Sequence, residues 1–364
     1  MVKKLKGLAY ELVLTYRYVI GKAKLYHHGP RKPRLKILKE LACWYIHECD
    51  VNRMYYAFGL NLKERQQSDY IDRKEFLKVK NKTENILRTR AGCREFNYDV
   101  VTKDKFIANS LFAANNLPCI ENMALYCNSA LLFQNGEQTG IQGFTRFGAE
   151  FIVKNTVLEA GDGVLVCRLV ANKIEVNGIT HSFDSFAHLL GEKVWIVQHR
   201  YESSNEIRKI NSTALNTTRI VTIMNNNKPE YLCGFQAFAT GGATTDSWSK
   251  GSVYVGIDVN NECLRAFGYC NLDDKVKSIV KRHPDSQIEF GGYKIPGLID
   301  AVELCIKAHR LLYFNFVIGW DIAITSNGPS IVEANEKPGM NVVQCMNGGL
   351  KSRIIQFSES FKSD

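Results

Sequence analysis

No apolar run in the 364-residue sequence approaches the roughly 18–20 residues that span a bilayer, so a membrane-crossing helix is not expected. Cysteine is present but unordered. The eleven residues are an odd number, scattered, with no Cys-x-x-Cys pair. A disulfide framework or structural zinc site needs tighter spacing, so reduced, mostly buried thiols in a cytoplasmic protein are expected. There is no internal repeat and no low-complexity tract, and a single globular fold is left. The glycine patterns of a P-loop (Gly-x-x-x-x-Gly-Lys-Ser/Thr) and of a dinucleotide fold (Gly-x-Gly-x-x-Gly) are both missing. The amino terminus is basic, but Tyr10, Glu11 and Arg17 interrupt the segment behind it, and no secretory leader is expected.

What is present is positive charge. Lys and Arg exceed Asp and Glu by ten, and the excess is concentrated ahead of Lys39, most densely at Arg31-Lys32-Pro33-Arg34 with Lys36 and Lys39. Such a surface implies an anionic partner. An acidic membrane leaflet or a phosphorylated carrier fits better than nucleic acid, because no aromatic–basic motif that reads bases is visible. The expected location is cytoplasmic, peripheral to the inner face of the membrane where these basic helices engage it. The sequence assigns no oligomeric state.

Hydrophobic spacing divides the chain. Residues 1–95 read as a basic helical region, with Leu5, Leu8, Leu12 and Val13 on one helix and Leu35, Leu38, Leu41 and Ala42 on the next. Residues 54–62 (MYYAFGLNL) should pack against the main body. Residues 96–150 read as an N-terminal α/β subdomain with a helix over 104–116. Residues 151–364 read as the main domain, with a strand-rich lid over 151–200 and a C-terminal subdomain over 201–345. Strands are expected at 150–154, 164–170, 173–176, 193–198, 219–224 and 233–239, and a helix at 298–312. They do not alternate strictly with helices, so the fold class is α+β. His27 and His28 read as surface side chains, His309 as a partly exposed one on the 298–312 helix, and Trp320 as core.

Two carboxylates stand out. Asp321 lies inside the apolar strand IGWDIAIT, and Glu333 and Asn335 lie on the return strand IVEAN. Acids are costly to bury without a cation, and a hard cation such as Mg²⁺ takes oxygen ligands of these types. Strand side chains alternate faces, so the register decides the matter. A two-residue Asn327-Gly328 turn would put Asp321 and Glu333 on opposite faces. A three-residue Ser326–Gly328 loop, with Gly328 left-handed, would pair them directly. Upstream, Lys154 ends a strand, and Gly161-Asp162-Gly163-Val164 follows it. Close glycines free backbone N–H groups to approach phosphate oxygens.

Together these pieces resemble the ATP-grasp superfamily, and are most similar to its sugar-transfer-associated members from surface-polysaccharide biosynthesis. The likeness runs from about 104 to 344. It is carried by residues 318–340 (IGWDIAITSNGPSIVEANEKPGM), FIVK at 151–154, WIVQ at 195–198, NTTRIVT at 216–222 and IPG at 295–297. It implies two α+β subdomains gripping ATP between antiparallel sheets. Lys105 and Lys154 would contact phosphates under the Gly161–Gly163–Val164 loop. Gln198, His199 and Arg200 would hold the adenine edge, largely through backbone. Asp321, Glu333 and Asn335 would bind one or two Mg²⁺. Arg219 would face the transferred phosphate, with Lys250 as a second catalytic cation. Many relatives carry Arg two residues before the metal Asp, where this chain has Gly319, and Arg219 or Lys250 would have to substitute. The implied chemistry is ligation of a small-molecule or glycan acid to an amine through an acyl phosphate. Two rival readings are a kinase of a sugar or lipid-linked acceptor, and a non-catalytic ATP-binding scaffold for glycosyltransferases.

Overall fold

The computed structural model describes residues 29–48, 54–96, 98–158, 163–247, 251–270 and 278–361, together with Val13, His27 and Asn52. The first expected helix, Gly161 and Lys250 lie outside these residues.

Four helices come first: α1 (Arg34–Glu48), α2 (Arg73–Arg90), α3 (Asp99–Lys103) and α4 (Lys105–Ala114). Eight strands then build one antiparallel sheet: β1 (Asn122–Cys127), β2 (Ala130–Phe133), β3 (Gln138–Thr139), β4 (Glu150–Asn155), β5 (Val164–Val170), β6 (Lys173–Val176), β7 (Ile179–His181) and, after helix α5 (Phe183–Leu190), β8 (Trp195–His199). Their order is β3-β2-β1-β8-β4-β5-β6-β7. The domain boundary expected at 150 therefore falls inside one sheet, because β1 pairs with β8 across it.

Helix α6 (Asn205–Ile210) leads to the second sheet. Its strands are β9 (Thr217–Asn225), β10 (Lys228–Phe238), β11 (Val253–Asp258), β12 (Cys263–Cys270), β13 (Ser278–Val280) and, after helix α7 (Leu298–Leu311), β14 (Val317–Thr325) and β15 (Gly328–Asn335). The order is β13-β12-β11-β10-β9-β14-β15. Helices α8 (Met340–Asn347) and α9 (Lys351–Glu359) close the described chain. The expected strands at 164–170 and 173–176 are reproduced residue for residue. Strands β11 to β13 and helices α8 and α9 were not among the expected elements.

Both sheets obey the two-residue alternation of extended chain. In β4, Phe151 and Val153 enter the core of the first sheet, while Ile152 and Lys154 take the other face. In the second sheet, Ile220, Ile318, Trp320 and Ile322 pack under α4 and α7. The opposite face is shared. Val221, Ile223 and Val317 are covered by the N-terminal aromatic segment, α2 and α8, and the rest faces the first sheet.

The N-terminal region is therefore part of the body. Tyr55, Phe58, Leu60 and Leu62 of the expected packing segment are buried. Helix α2 is tied to the sheet by a charge placed inside the core. Lys80 donates to Glu84 at 2.7 Å, and Glu84 accepts the Phe316 N–H at 3.0 Å. Breaking such a buried pair costs about 3–5 kcal/mol.

Three side-chain expectations are corrected. His309 is buried, because Thr222 and the Asn315 carbonyl satisfy both ring nitrogens at 2.7 and 2.9 Å. The carbonyl can only accept, so Nε2 carries the proton and Nδ1 accepts from the Thr222 hydroxyl. That hydroxyl in turn accepts the Trp320 indole N–H at 2.7 Å. Burial pushes His309 down to about 4, so it stays neutral. His27 is also buried, bonded to the Ala57 carbonyl. Of the cysteines described, only Cys167, Cys233, Cys305 and Cys345 are buried.

Candidate functional site

The facing surfaces of the two sheets enclose a cavity of about 470 Å³. Each wall follows from strand alternation. Ile152, Lys154, Val164, Val166 and Gln198 come from the first sheet, where Ile152 pairs with Gln198 and Lys154 with Val164. Thr217, Arg219, Phe235, Tyr254, Asp321, Glu333 and Asn335 come from the second.

Asp321 and Glu333 are directly paired, and Gly319 pairs with Asn335 two steps along, so all three polar residues share the cavity face. The expected outcome holds, but the expected device does not. Gly328 has φ of +99°, yet it pairs with Thr325, leaving a two-residue Ser326-Asn327 loop. Unaided, that loop would slip the pairing by one residue. Between Ile331 and Glu333 the strand carries Val332 as an extra residue, and this bulge restores the register. A bulge re-aims side chains in this way, and Val332 also lines the cavity.

Arg219 is placed by strand pairing. It lies beside the acids, on the same sheet, because β9 pairs with β14 and sets Arg219 opposite Asp321. Its guanidinium grips the Asp321 carboxylate at 2.6 and 3.0 Å, and its third nitrogen donates to the Pro338 carbonyl at 3.2 Å. Asn335 donates to the same carboxylate at 3.2 Å. Gly319 explains the arrangement. A Cβ there would meet the Pro338 Cβ at 2.6 Å and the Arg219 Nη1 at 3.3 Å. No side chain fits at 319, and Arg219, reaching in from the neighbouring strand, supplies the cation beside it.

The lysines reach the acids from two directions, Lys154 from β4 of the facing sheet and Lys105 from α4, which packs against the second sheet. Asp104 caps α4 by accepting from Phe106 and Ile107, which fixes Lys105 in the first turn. Lys105 donates to the Leu158 carbonyl at 2.7 Å and stands 3.7 Å from Glu333. Burial lowers the Lys154 amine, opposed by the nearby Glu333. Burial raises the Glu333 carboxyl, opposed by Lys105 and reinforced by Asp321. Gly163 has φ of +74°, and a Cβ there would meet Leu158 and Asn155 at 2.9 and 3.0 Å. That crowding lets the turn close on β4, where Asn155 donates to the Gly163 carbonyl.

At the hinge, Gln198 donates to Asn122 at 2.8 Å. Its amide oxygen is buried with no partner. His199 and Arg200 are exposed, and Arg200 pairs with Glu150 at 2.7 Å. Asp246 is the residue that sequence reasoning missed as a site member. The Thr217 N–H and hydroxyl bind its carboxylate at 2.6 and 2.7 Å, and burial pushes it up to about 6. It sits in a polar loop with no periodic signal, so only the fold brings it to the cavity.

The residues present fit Mg²⁺ and a nucleotide. Two carboxylates and an amide oxygen, on one face, suit a cation that usually completes its shell with substrate phosphates and water. Among the described residues no group of three or more His, Cys, Asp or Glu forms a metal cluster. The unpartnered Gln198 oxygen marks a place for a ligand N–H. No described helix is long and apolar enough to cross a membrane.

No curated protein matches the sequence. Among solved structures, the chain is similar to the D-alanine–D-alanine ligase of Coxiella burnetii at 11% identity and TM-score 0.40, over 72% of this chain and 59% of that one. It is also similar to a Campylobacter jejuni biotin carboxylase in a β-γ-ATP complex, at 10% identity and TM-score 0.42, over 71% of this chain and 46% of that one. The chain thus spans about half the length of these proteins. Residues 67–359 match a single family profile, reaching upstream through α2 and downstream to the end of α9. The chain belongs to the sugar-transfer associated ATP-grasp family.

Proposed function

We propose that the protein is an ATP- and Mg²⁺-dependent ligase that joins a carboxylate to an amine, with a sugar or sugar acid as one partner in surface-polysaccharide biosynthesis. One observation carries the reading. Asp321, Glu333 and Asn335 share a face, with Arg219 and Lys105 beside them and Lys154 on the facing sheet.

Bound Mg-ATP would supply a phosphoryl group to activate the acid as an acyl phosphate. The chain's own task is positioning and charge. Asp321, Glu333 and the Asn335 amide oxygen are the ligands available to a cation, and the Asn335 amide nitrogen also holds Asp321. Lys105 and Lys154 offer fixed positive charge to phosphate oxygens, and Arg219 extends it along the second sheet. Preorganised charge of this kind is the main lever in phosphoryl transfer. Gln198 offers a buried acceptor at the hinge. No side chain is required as a nucleophile.

The test is a product assay. Purified protein with ATP, Mg²⁺ and candidate acid–amine pairs should release ADP and phosphate only when both partners are present. AMP and pyrophosphate would sink the acyl-phosphate route, and a phosphorylated product formed without amine would make the protein a kinase. Glu333→Gln should remove several kcal/mol of charge stabilisation, which is at least ~100-fold in rate. Retained turnover would take Glu333 out of the metal site.

A further inference from the structure

Helix α1 carries an apolar face that the fold does not use. Its inner side is anchored by fully buried Ile37, with Leu41 packed on the same core. The outer side carries Leu35, Leu38, Ala42, Tyr45 and Ile46. At 3.6 residues per turn these fall on one stripe about 100° wide. Leu35 is 80% and Ile46 77% exposed. The helical spacing of Leu35, Leu38 and Ala42 visible in the sequence therefore marks an outward face.

The charges of α1 are sorted by side. Both acids are engaged with the body: Glu40 by Lys32 at 3.0 Å, and Glu48 by Lys74 at 3.5 Å. The cations Arg34, Lys36 and Lys39 are exposed beside the stripe, Lys36 and Lys39 on the side where α1 borders a cleft against the segment leading to α2, and Arg31 is exposed just ahead of it. The outer face is apolar along its middle and positive along its edges.

This pattern selects its occupant. A second copy of the chain packed across the stripe would bring the two sets of cations together. An anionic lipid surface satisfies both features, because apolar side chains enter the headgroup boundary while Lys and Arg meet lipid phosphates. At 1.5 Å per residue the helix is about 22 Å long, and it is apolar on its outer side only, so it suits lying along a membrane. We infer that α1 seats the protein on an anionic phospholipid surface through the Leu35–Ile46 stripe. The inference is independent of the reaction, and would place the enzyme where lipid-linked glycans are assembled.

The test is flotation of the full-length protein with phosphatidylcholine vesicles, with and without phosphatidylglycerol, at low and high salt. The protein should float only with the anionic vesicles, and less at high salt. The double variant Leu35→Glu/Ile46→Glu should lose at least ~10-fold in partitioning. Lys36→Glu/Lys39→Glu should lose binding chiefly at low salt. Ile179→Glu, an exposed apolar site elsewhere, should float as wild type. Unchanged thermal melts would show that the variants fold, as their exposure predicts. Three results would each overturn the inference: no flotation, equal binding to neutral vesicles, or wild-type flotation of the stripe variant. Self-association that the stripe variant abolishes, with no vesicle binding, would reassign the face to a dimer.

Discussion

The Arg219–Asp321 pair can be measured by removing each side in turn. Two charge-assisted bonds of 2.6 and 3.0 Å hold it, and each side chain keeps about a fifth of its exposure (20% and 19%). Truncating one member of a fully buried pair costs about 3–5 kcal/mol, and partial exposure lowers that. Arg219→Met leaves Asp321 beside Glu333 with only the Asn335 amide, and should cost about 3 kcal/mol. Asp321→Asn keeps one neutral acceptor for the guanidinium, and should cost about 2 kcal/mol. The double variant leaves no orphaned charge and should cost about 2–3 kcal/mol, well short of the sum. Urea unfolding with slopes compared gives all three values and a coupling near 2 kcal/mol. Mg-ATP at about 100-fold its dissociation constant should add about 2.7 kcal/mol to wild type and little to Asp321→Asn. Additive single effects, or Mg-ATP stabilisation undiminished in Asp321→Asn, would contradict the geometry described.

The remaining predictions concern crowding and pH. Gly319→Ala should cost about 1–3 kcal/mol by overpacking and weaken Mg-ATP binding, because Pro338 must yield and Arg219 with it; an unchanged urea midpoint and affinity would refute this. Asp246, ordinarily near 3.8, is pushed up to about 6 in the fold. A raised folded value favours the protonated form, so its contribution is present below pH 3.8 and lost as pH rises through 6. Asp246→Asn should therefore gain about 1–2 kcal/mol at pH 8, allowing for partial exposure, and nothing near pH 3.5. Urea midpoints at the two pH values check it, and a gain confined to low pH would reverse the assignment.

The hairpin shows how far the sequence carries. Apolar residues around Asp321, Glu333 and Asn335 were enough to mark partly buried acids in need of positive charge, because no solvated strand needs such neighbours. The alternation in β4 was equally local, so Lys154 was legible too, whereas Lys105 was reached only through the family resemblance. The register was not. A bulge at Val332, rather than a three-residue turn, aligns the acids, and a bulge leaves no fixed mark in residue type because its energy comes from pairing across strands.

Local patterns thus picked out Asp321, Glu333, Asn335 and Lys154 as candidates, since periodicity and burial cost act over a few residues, and the resemblance added Lys105, Gln198 and Arg219. Tertiary structure decided which of them meet. It brought Arg219 to the acids' own sheet by pairing β9 with β14, delivered Asp246 from an unpatterned loop, and buried His309 against Thr222 and Asn315. It also turned the Leu35–Ile46 stripe outward, since a periodic apolar face says that something covers it and only the packing of Ile37 says from which side.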